Sequence, residues 1–229
     1  ADIISRHRPK AFYLENVKNL ASHDKGNTFR VIRETLEELN YSVYYQVMDG
    51  QPYVPQHRER IMIVGFDRNV FQGKENFTFP EQPTPTKTIK DILDSNPDPK
   101  YTLSDKLWSY LQAYAEKHRA KGNGFGYEVR SLDDVAGAIV CGGMGRERNL
   151  VIDTRLEDFT PITNIKGEVN KIGLRRMTPR EWARLQGFPD NFIIGISDAS
   201  AYKQFGNSVA IPAVQATAKE IIKRINIPN

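Results

Sequence analysis

Three apolar runs constrain this chain more than any other feature. "AFYLENV" (Ala11–Val17), "YSVYYQVM" (41–48) and "RIMIVGF" (60–66) are rich in β-branched and aromatic residues and read as strands. Between the first two lies "GNTFRVIRETLEELN", in which Phe29, Ile32, Leu36 and Leu39 recur at helical spacing. Strand, helix, strand, strand is a piece of an α/β sheet. Ligands of such sheets gather outside the carboxyl ends of the strands, and Glu15 and Asn16 stand at one such end. "PQHRER" (55–60) runs straight into the third run, so Arg58 and Arg60 stand at a strand mouth. A guanidinium there is a fixed planar fork of hydrogen-bond donors.

Beyond Phe79 the grammar changes. Pro80, Pro83, Pro85, Pro97 and Pro99 with "TPTKT" read as a linker over 81–99. Ser104 is the expected N-cap of a helix that carries Leu107, Trp108, Leu111, Tyr114 and Ala115 on one face. "KGNGFGY" and "GAIVCGGMGRERNLVID" follow, so 100–173 reads as a small, mostly β and loop domain. In "TPREWARLQGFPDNF", Thr178 caps a helix, Pro179 occupies its first position, Glu181 completes a capping box and Gly187 stops it. Trp182 and Leu185 of that helix are expected in the core. Gly206, Asn207 and Ser208 read as a polar glycine turn before an amphipathic helix whose Ile211, Val214, Ala218 and Ile221 or Ile222 would face a core. The expected domains are thus 1–80 and 100–173, with 174–229 returning to their junction.

Net charge is +4 and the isoelectric point about 9.0, a mild lean towards an anionic partner. No run of 18 or more apolar residues exists to span a membrane, and no signal peptide is visible. The single cysteine, Cys141, can form no internal disulfide, which fits a reducing cytoplasm. His7, His23, His57 and His118 are scattered, so no zinc site is expected. Ala1 opens directly on a helix-like stretch, as though in the middle of a fold. A piece of a longer protein, or one part of a split one, is therefore expected.

Four stretches in order, "ENV" (15–17), "QHRER" (56–60), "LRRMTPREWARLQGFPD" (174–190) and "YKQFGNSV" (202–209), carry a resemblance. With a glycine-rich variable region between the second and third, they resemble the C-terminal two-thirds of the DNA cytosine-5 methyltransferases. That resemblance implies part of a Rossmann-like, S-adenosyl-L-methionine-dependent sheet plus a small target-recognition domain. The partner it implies is double-stranded DNA, in the cytoplasm of a bacterium and associated with its nucleoid, in restriction–modification or an orphan methylation system. Glu15 would meet N3 of a flipped cytosine and Arg60 its O2. Asn16 would hold the loop geometry, and Arg58 would orient the site or meet a phosphate. Asn207 and Ser208 would touch the cofactor, with Gly206 allowing close backbone approach. Gly142, Gly143, Arg146 and Arg148 would read DNA from the variable region, and Lys166, Lys171, Arg175, Arg176, Arg180 and Arg184 form a basic patch expected either to face phosphates or to be a solvated helix face.

The family's Pro-Cys nucleophile and its early Gly-rich cofactor loop do not occur in these 229 residues. Cys141, in "AIVCGGMG", reads as a buried apolar thiol rather than a substitute. The chain is therefore expected to be inactive alone and to need an N-terminal portion or a complementary subunit. Each motif also has a plainer reading. "ENV" can be a strand end with a capping glutamate, "QHRER" a solvated charge cluster, and the two reading arginines phosphate contacts or solubility groups. A non-catalytic DNA-binding subunit or a degenerate relative stays open as the alternative. Another α/β nucleotide enzyme is disfavoured, because no GxGxxG or phosphate loop is present.

Overall fold

The strand at the centre of the first sheet is the one the sequence marks most strongly. In the computed structural model, which describes residues 1–124, 126–142, 145–155 and 167–226, β1 (Ala11–Val17), β2 (Tyr41–Asp49) and β4 (Glu59–Asp67) form a sheet in the order β1-β4-β2. The strand numbered between them, β3, is Gln56–His57. β4 runs antiparallel to both neighbours. It is buried from Ile61 to Asp67, as its unbroken apolar run requires. Phe12 pairs with Gly65, and a Cβ at 65 would lie 2.2 Å from the Phe12 ring, so only glycine fits beneath that ring.

Each face of this sheet has its own cover. Phe12, Ile61 and Ile63 pack with Phe29 and Leu36 of α2 (Asn27–Glu38), while α1 (Asp2–His7) adds Ile4. Val64 and Phe66 pack with Phe77 and with Ile221 of α7 (Ile211–Ile225). The buried stripe of α7 is Ala213, Thr217 and Ile221, one position away from the expected Val214 and Ala218, and Ile222 is exposed. Burial of Thr217 is tolerated because its hydroxyl donates back to the Ala213 carbonyl at 3.3 Å.

The chain divides into two compact units, 1–50 with 59–83 and 212–229, and 51–58 with 84–211. The first holds the sheet above, with a four-residue α3 (Arg68–Phe71) after β4. The second holds α4 (Asp105–Arg119), β5 (Val129–Arg130), β6 (Ala136–Gly137), β7 (Leu150–Ile152), β8 (Leu174–Arg175), α5 (Pro179–Leu185) and α6 (Asp198–Asn207). β3 pairs in parallel with β6, and β7 lies between β5 and β8. The strands are short, so side chains carry the order. Ile139, Val151, Met177, Trp182, Leu185, Tyr202 and Phe205 form the main core.

Part of the expected linker belongs to that core. Ile89 and Ile92 are buried in it, on a 3-10 turn closed by a Thr88–Asp91 capping box. The helix grammar at 178–187 is realised as written: Thr178 and Glu181 cap each other and Gly187 takes φ 77° past the end of α5. Beneath α5 lies a buried ionic cluster in which Arg175 bonds Asp153 at 2.9 Å and Glu181 at 2.8 Å. Hydrogen bonds from Arg155, joined by those from Arg175, hold the Asp153 carboxyl well below the usual carboxylate range despite its burial.

Candidate active site

The register of β1 against β4 brings two charged residues together. Glu15 lies opposite Met62, and Val17 opposite Arg60, so Glu15 and Arg60 are diagonal neighbours on one face of the antiparallel pair. Arg60 Nε meets Glu15 Oε1 at 2.9 Å, and Arg60 Nη1 donates to the Glu59 carbonyl at 2.8 Å. Both side chains are partly exposed, 16% for Arg60 and 27% for Glu15. Arg60 Nη2 and Glu15 Oε2 have no hydrogen-bond partner among the described residues. Asn16 Oδ1 accepts from the Val17 amide at 2.8 Å, a local bond that shapes the end of β1. Lys18 flanks the pair through Glu59 at 2.8 Å.

Arg58 does something different two residues earlier. It sits at the break between β3 and β4, so the alternation of a strand does not carry from 58 to 60. Its side chain is buried, with the residue 3% exposed, and it donates to three carbonyls: Ile139 at 2.8 Å, Gly206 at 3.1 Å and Ser208 at 2.7 Å. The phosphate reading of Arg58 is therefore set aside, because a buried fork satisfied by backbone cannot reach a phosphate. Gln56, also buried, accepts from the Ile139 amide at 3.0 Å and donates to the Leu185 carbonyl at 2.7 Å.

The expected glycine turn at 206–208 is the end of a helix instead, with Ser208 as its extended C-cap. α6 begins at the N-cap Ser197 and continues through Gly206 and Asn207. The close approach at Gly206 is to the chain itself: a Cβ there would lie 2.7 Å from the Cys141 amide nitrogen and 3.0 Å from the Val140 carbonyl carbon. Cys141 is exposed rather than buried, and its Sγ donates to Asn207 Oδ1 at 2.7 Å. Asn207 Nδ2 and the Ser208 hydroxyl have no partner among the described residues.

The DNA-reading candidates separate into two kinds. Gly142, at φ 88°, is exposed with nothing near the position of a Cβ; Arg146 is exposed on the 3-10 turn Gly145–Glu147 and Arg148 is exposed just after it. Gly143, like Phe125 and Lys166, lies outside the described residues. Arg176 and Arg180 are tied inward. Arg176 grips the buried Glu147 at 2.6 Å, and Arg180 Nη2 donates to the Phe192 carbonyl at 2.6 Å. Arg176 thus anchors the turn that carries Arg146 and Arg148.

Within the same unit, a cavity of about 340 Å³ opens between Val140, Cys141, Gly142 and Arg146 on one side and α6 on the other, with Trp182 and Tyr202 in its wall. Arg146 lies 5.6 Å over the Tyr202 ring, and burial pushes the Tyr202 phenol strongly up. Lys203 lines this cavity and was not singled out from the sequence. The N-cap at Ser197 followed by Asp198 was the signal that could have placed it on a helix.

Comparison with known proteins follows this geometry. The C-5 cytosine-specific DNA methylase family model matches residues 1–223. The chain is 56% identical to the type II methyltransferase M.HpaII of Haemophilus parainfluenzae, over 98% of this chain and 63% of that protein. It is 46% identical to the type II methyltransferase M.SsoII of Shigella sonnei, over 99% of this chain and 56% of that protein. The chain thus spans roughly three fifths of the length of these relatives. Among solved structures, an Entamoeba histolytica methyltransferase superposes with a TM-score of 0.69 at 17% identity, covering 97% of this chain and 68% of that one. The Dnmt2 methyltransferase of S. pombe does so at 0.65 and 18%, covering 96% and 68%. At that identity the likeness is one of fold, the mixed α/β methyltransferase fold. The family match and the curated relatives go further: the chain belongs to the C-5 cytosine-specific DNA methylase family.

Proposed function

We propose that this chain is the DNA-reading and base-gripping part of a type II DNA cytosine-5 methyltransferase, which modifies C5 of a cytosine extruded from a specific duplex sequence. The Glu15–Arg60 pair carries this reading. C5 of cytosine is a poor nucleophile. Addition of a thiolate at C6 raises the electron density at C5, provided the ring can accept charge at N3 and O2. Glu15 delivers a proton or hydrogen bond to N3, and the free amino group of Arg60 donates to O2. Donors fixed in advance at such positions each contribute about 10²–10³ in rate. The partial exposure of both groups suits a base that must enter from the duplex, at a cost of about a few kcal/mol. A mere DNA binder has no need of the pair.

The thiolate comes from outside these 229 residues, on a further portion of the protein or a complementary subunit. S-adenosyl-L-methionine supplies the methyl group when bound. Asn207 Nδ2 and the Ser208 hydroxyl, polar groups without partners among the described residues, belong to the residues of this chain that would hold it. Gly142, Arg146 and Arg148 read the duplex, in the setting of restriction–modification in the bacterial cytoplasm.

Glu15→Gln in the assembled enzyme tests this. Turnover should fall by about 10²–10⁴-fold, the range for lost proton transfer, while DNA affinity changes little. Loss of DNA binding with undiminished turnover of the remaining complex would reject Glu15 as the partner of N3.

A further inference from the structure

The proposed reading gives no role to the buried network between Arg58, the 139–141 segment and the end of α6. Three independent observations meet there. Arg58 spans the carbonyls of Ile139, Gly206 and Ser208 with bonds of 2.8, 3.1 and 2.7 Å. Gly206 admits the Val140–Cys141 backbone to a distance that any Cβ would forbid. Cys141 donates its thiol proton to Asn207 Oδ1. The segment so held leads directly into Gly142 and the turn with Arg146 and Arg148. The helix end so held carries Asn207 and Ser208.

We propose that Arg58 is a positioning residue that latches the DNA-reading segment to the Asn207–Ser208 helix end, so that sequence discrimination and cofactor affinity rise and fall together. Two sites that bias the same equilibrium, here between latched and released arrangements of this network, are thermodynamically linked, and the linkage is reciprocal. Arginine is required because three carbonyls at different angles need a planar fork of donors, which a lysine ammonium cannot span. The Cys141 bond adds direction: with Oδ1 occupied, Asn207 presents its amino group outwards as a donor. This rests on the assignment of Gly142, Arg146 and Arg148 to DNA and of Asn207 and Ser208 to the cofactor.

Two variants of the assembled enzyme test the latch, Arg58→Lys and Gly206→Ala. Peptide-resolved mass spectrometry follows the rate at which iodoacetamide alkylates Cys141. Kinetics follow the KM for S-adenosyl-L-methionine and the ratio of kcat/KM on cognate against singly mismatched duplex. In both variants alkylation should quicken, the KM should rise and the discrimination ratio should fall, each by about tenfold. Gly206→Ala is the sharper case, because helix propensity alone would favour alanine and the contact with the Val140–Cys141 backbone opposes it. It also carries the test if Arg58→Lys does not fold.

Alkylation needs no methyl transfer, so it tests the latch even where methylation itself fails. Unchanged alkylation in Gly206→Ala overturns the latch. So does a fall in melting temperature with all three readouts fixed, or a change in discrimination with the cofactor KM unmoved.

Discussion

Glu15 and Arg60 sit on paired strands, whereas Arg146 sits on a 3-10 turn and Arg148 on the turn that follows it. The first pair is fixed by backbone register and by a central strand buried through seven successive residues. The second is fixed by side chains: Arg176 on Glu147, Arg146 on Tyr202, and the Arg58 latch. Strands hold a side chain more closely than loops do. Chemistry on a ring tolerates little misplacement, while reading a groove calls for a segment that can vary in sequence without disturbing the core. Under the proposed function, ring chemistry falls to the strands and groove reading to the turn, the kind of support each task needs.

The largest expected effect comes from breaking the support of the reading unit. Arg175→Met leaves Asp153 and Glu181 buried without their shared cation, and should cost about 3–5 kcal/mol. Denaturant unfolding should show the loss, and hydrogen exchange should locate it in 84–211 while the amides of β1 and β4 keep their protection. Equal loss of protection in both units would erase the contrast.

A smaller effect sharpens it. Arg146→Ala or Arg148→Ala should relax preference at one base pair, by about 1–3 kcal/mol for a lost bidentate contact. Binding across a panel of single-base variants checks this. Uniform weakening on every sequence, with a shallower salt dependence, would make the residue a phosphate contact instead.

The smallest effect concerns pH. Asp153 is depressed in the folded state, so its stabilisation is present above the ordinary carboxylate value and is lost as pH falls towards the folded value. Melts should therefore change little through this group between about pH 7 and pH 5, then weaken progressively below about pH 4. Weakening already at pH 6 would point to another titrating group.

Much of this was legible in the residues. The three strands, α2, the Ser104 cap and the capping box of α5 all follow from local periodicity and from caps that act within four residues of themselves. So did the placing of Glu15 and Asn16 at a strand end. The errors share one cause. Gly206 reads as part of a polar turn, but the absence of its side chain serves a contact with Val140 and Cys141, 66 and 65 positions earlier. Cys141 was taken for core because its neighbours are apolar, although its partner is Asn207. Ile89 and Ile92 were hidden among prolines.

The sequence by itself determined the elements, the family resemblance and which side chains could carry chemistry, because those depend on short-range pattern and on residue identity. Only the tertiary structure decided that Arg60 faces Glu15 while Arg58, two residues away, turns into a buried network. That choice rests on strand register and on the interruption of strand structure at Arg58, between β3 and β4. It is made by contacts between residues 45 to 150 positions apart, which no local pattern encodes.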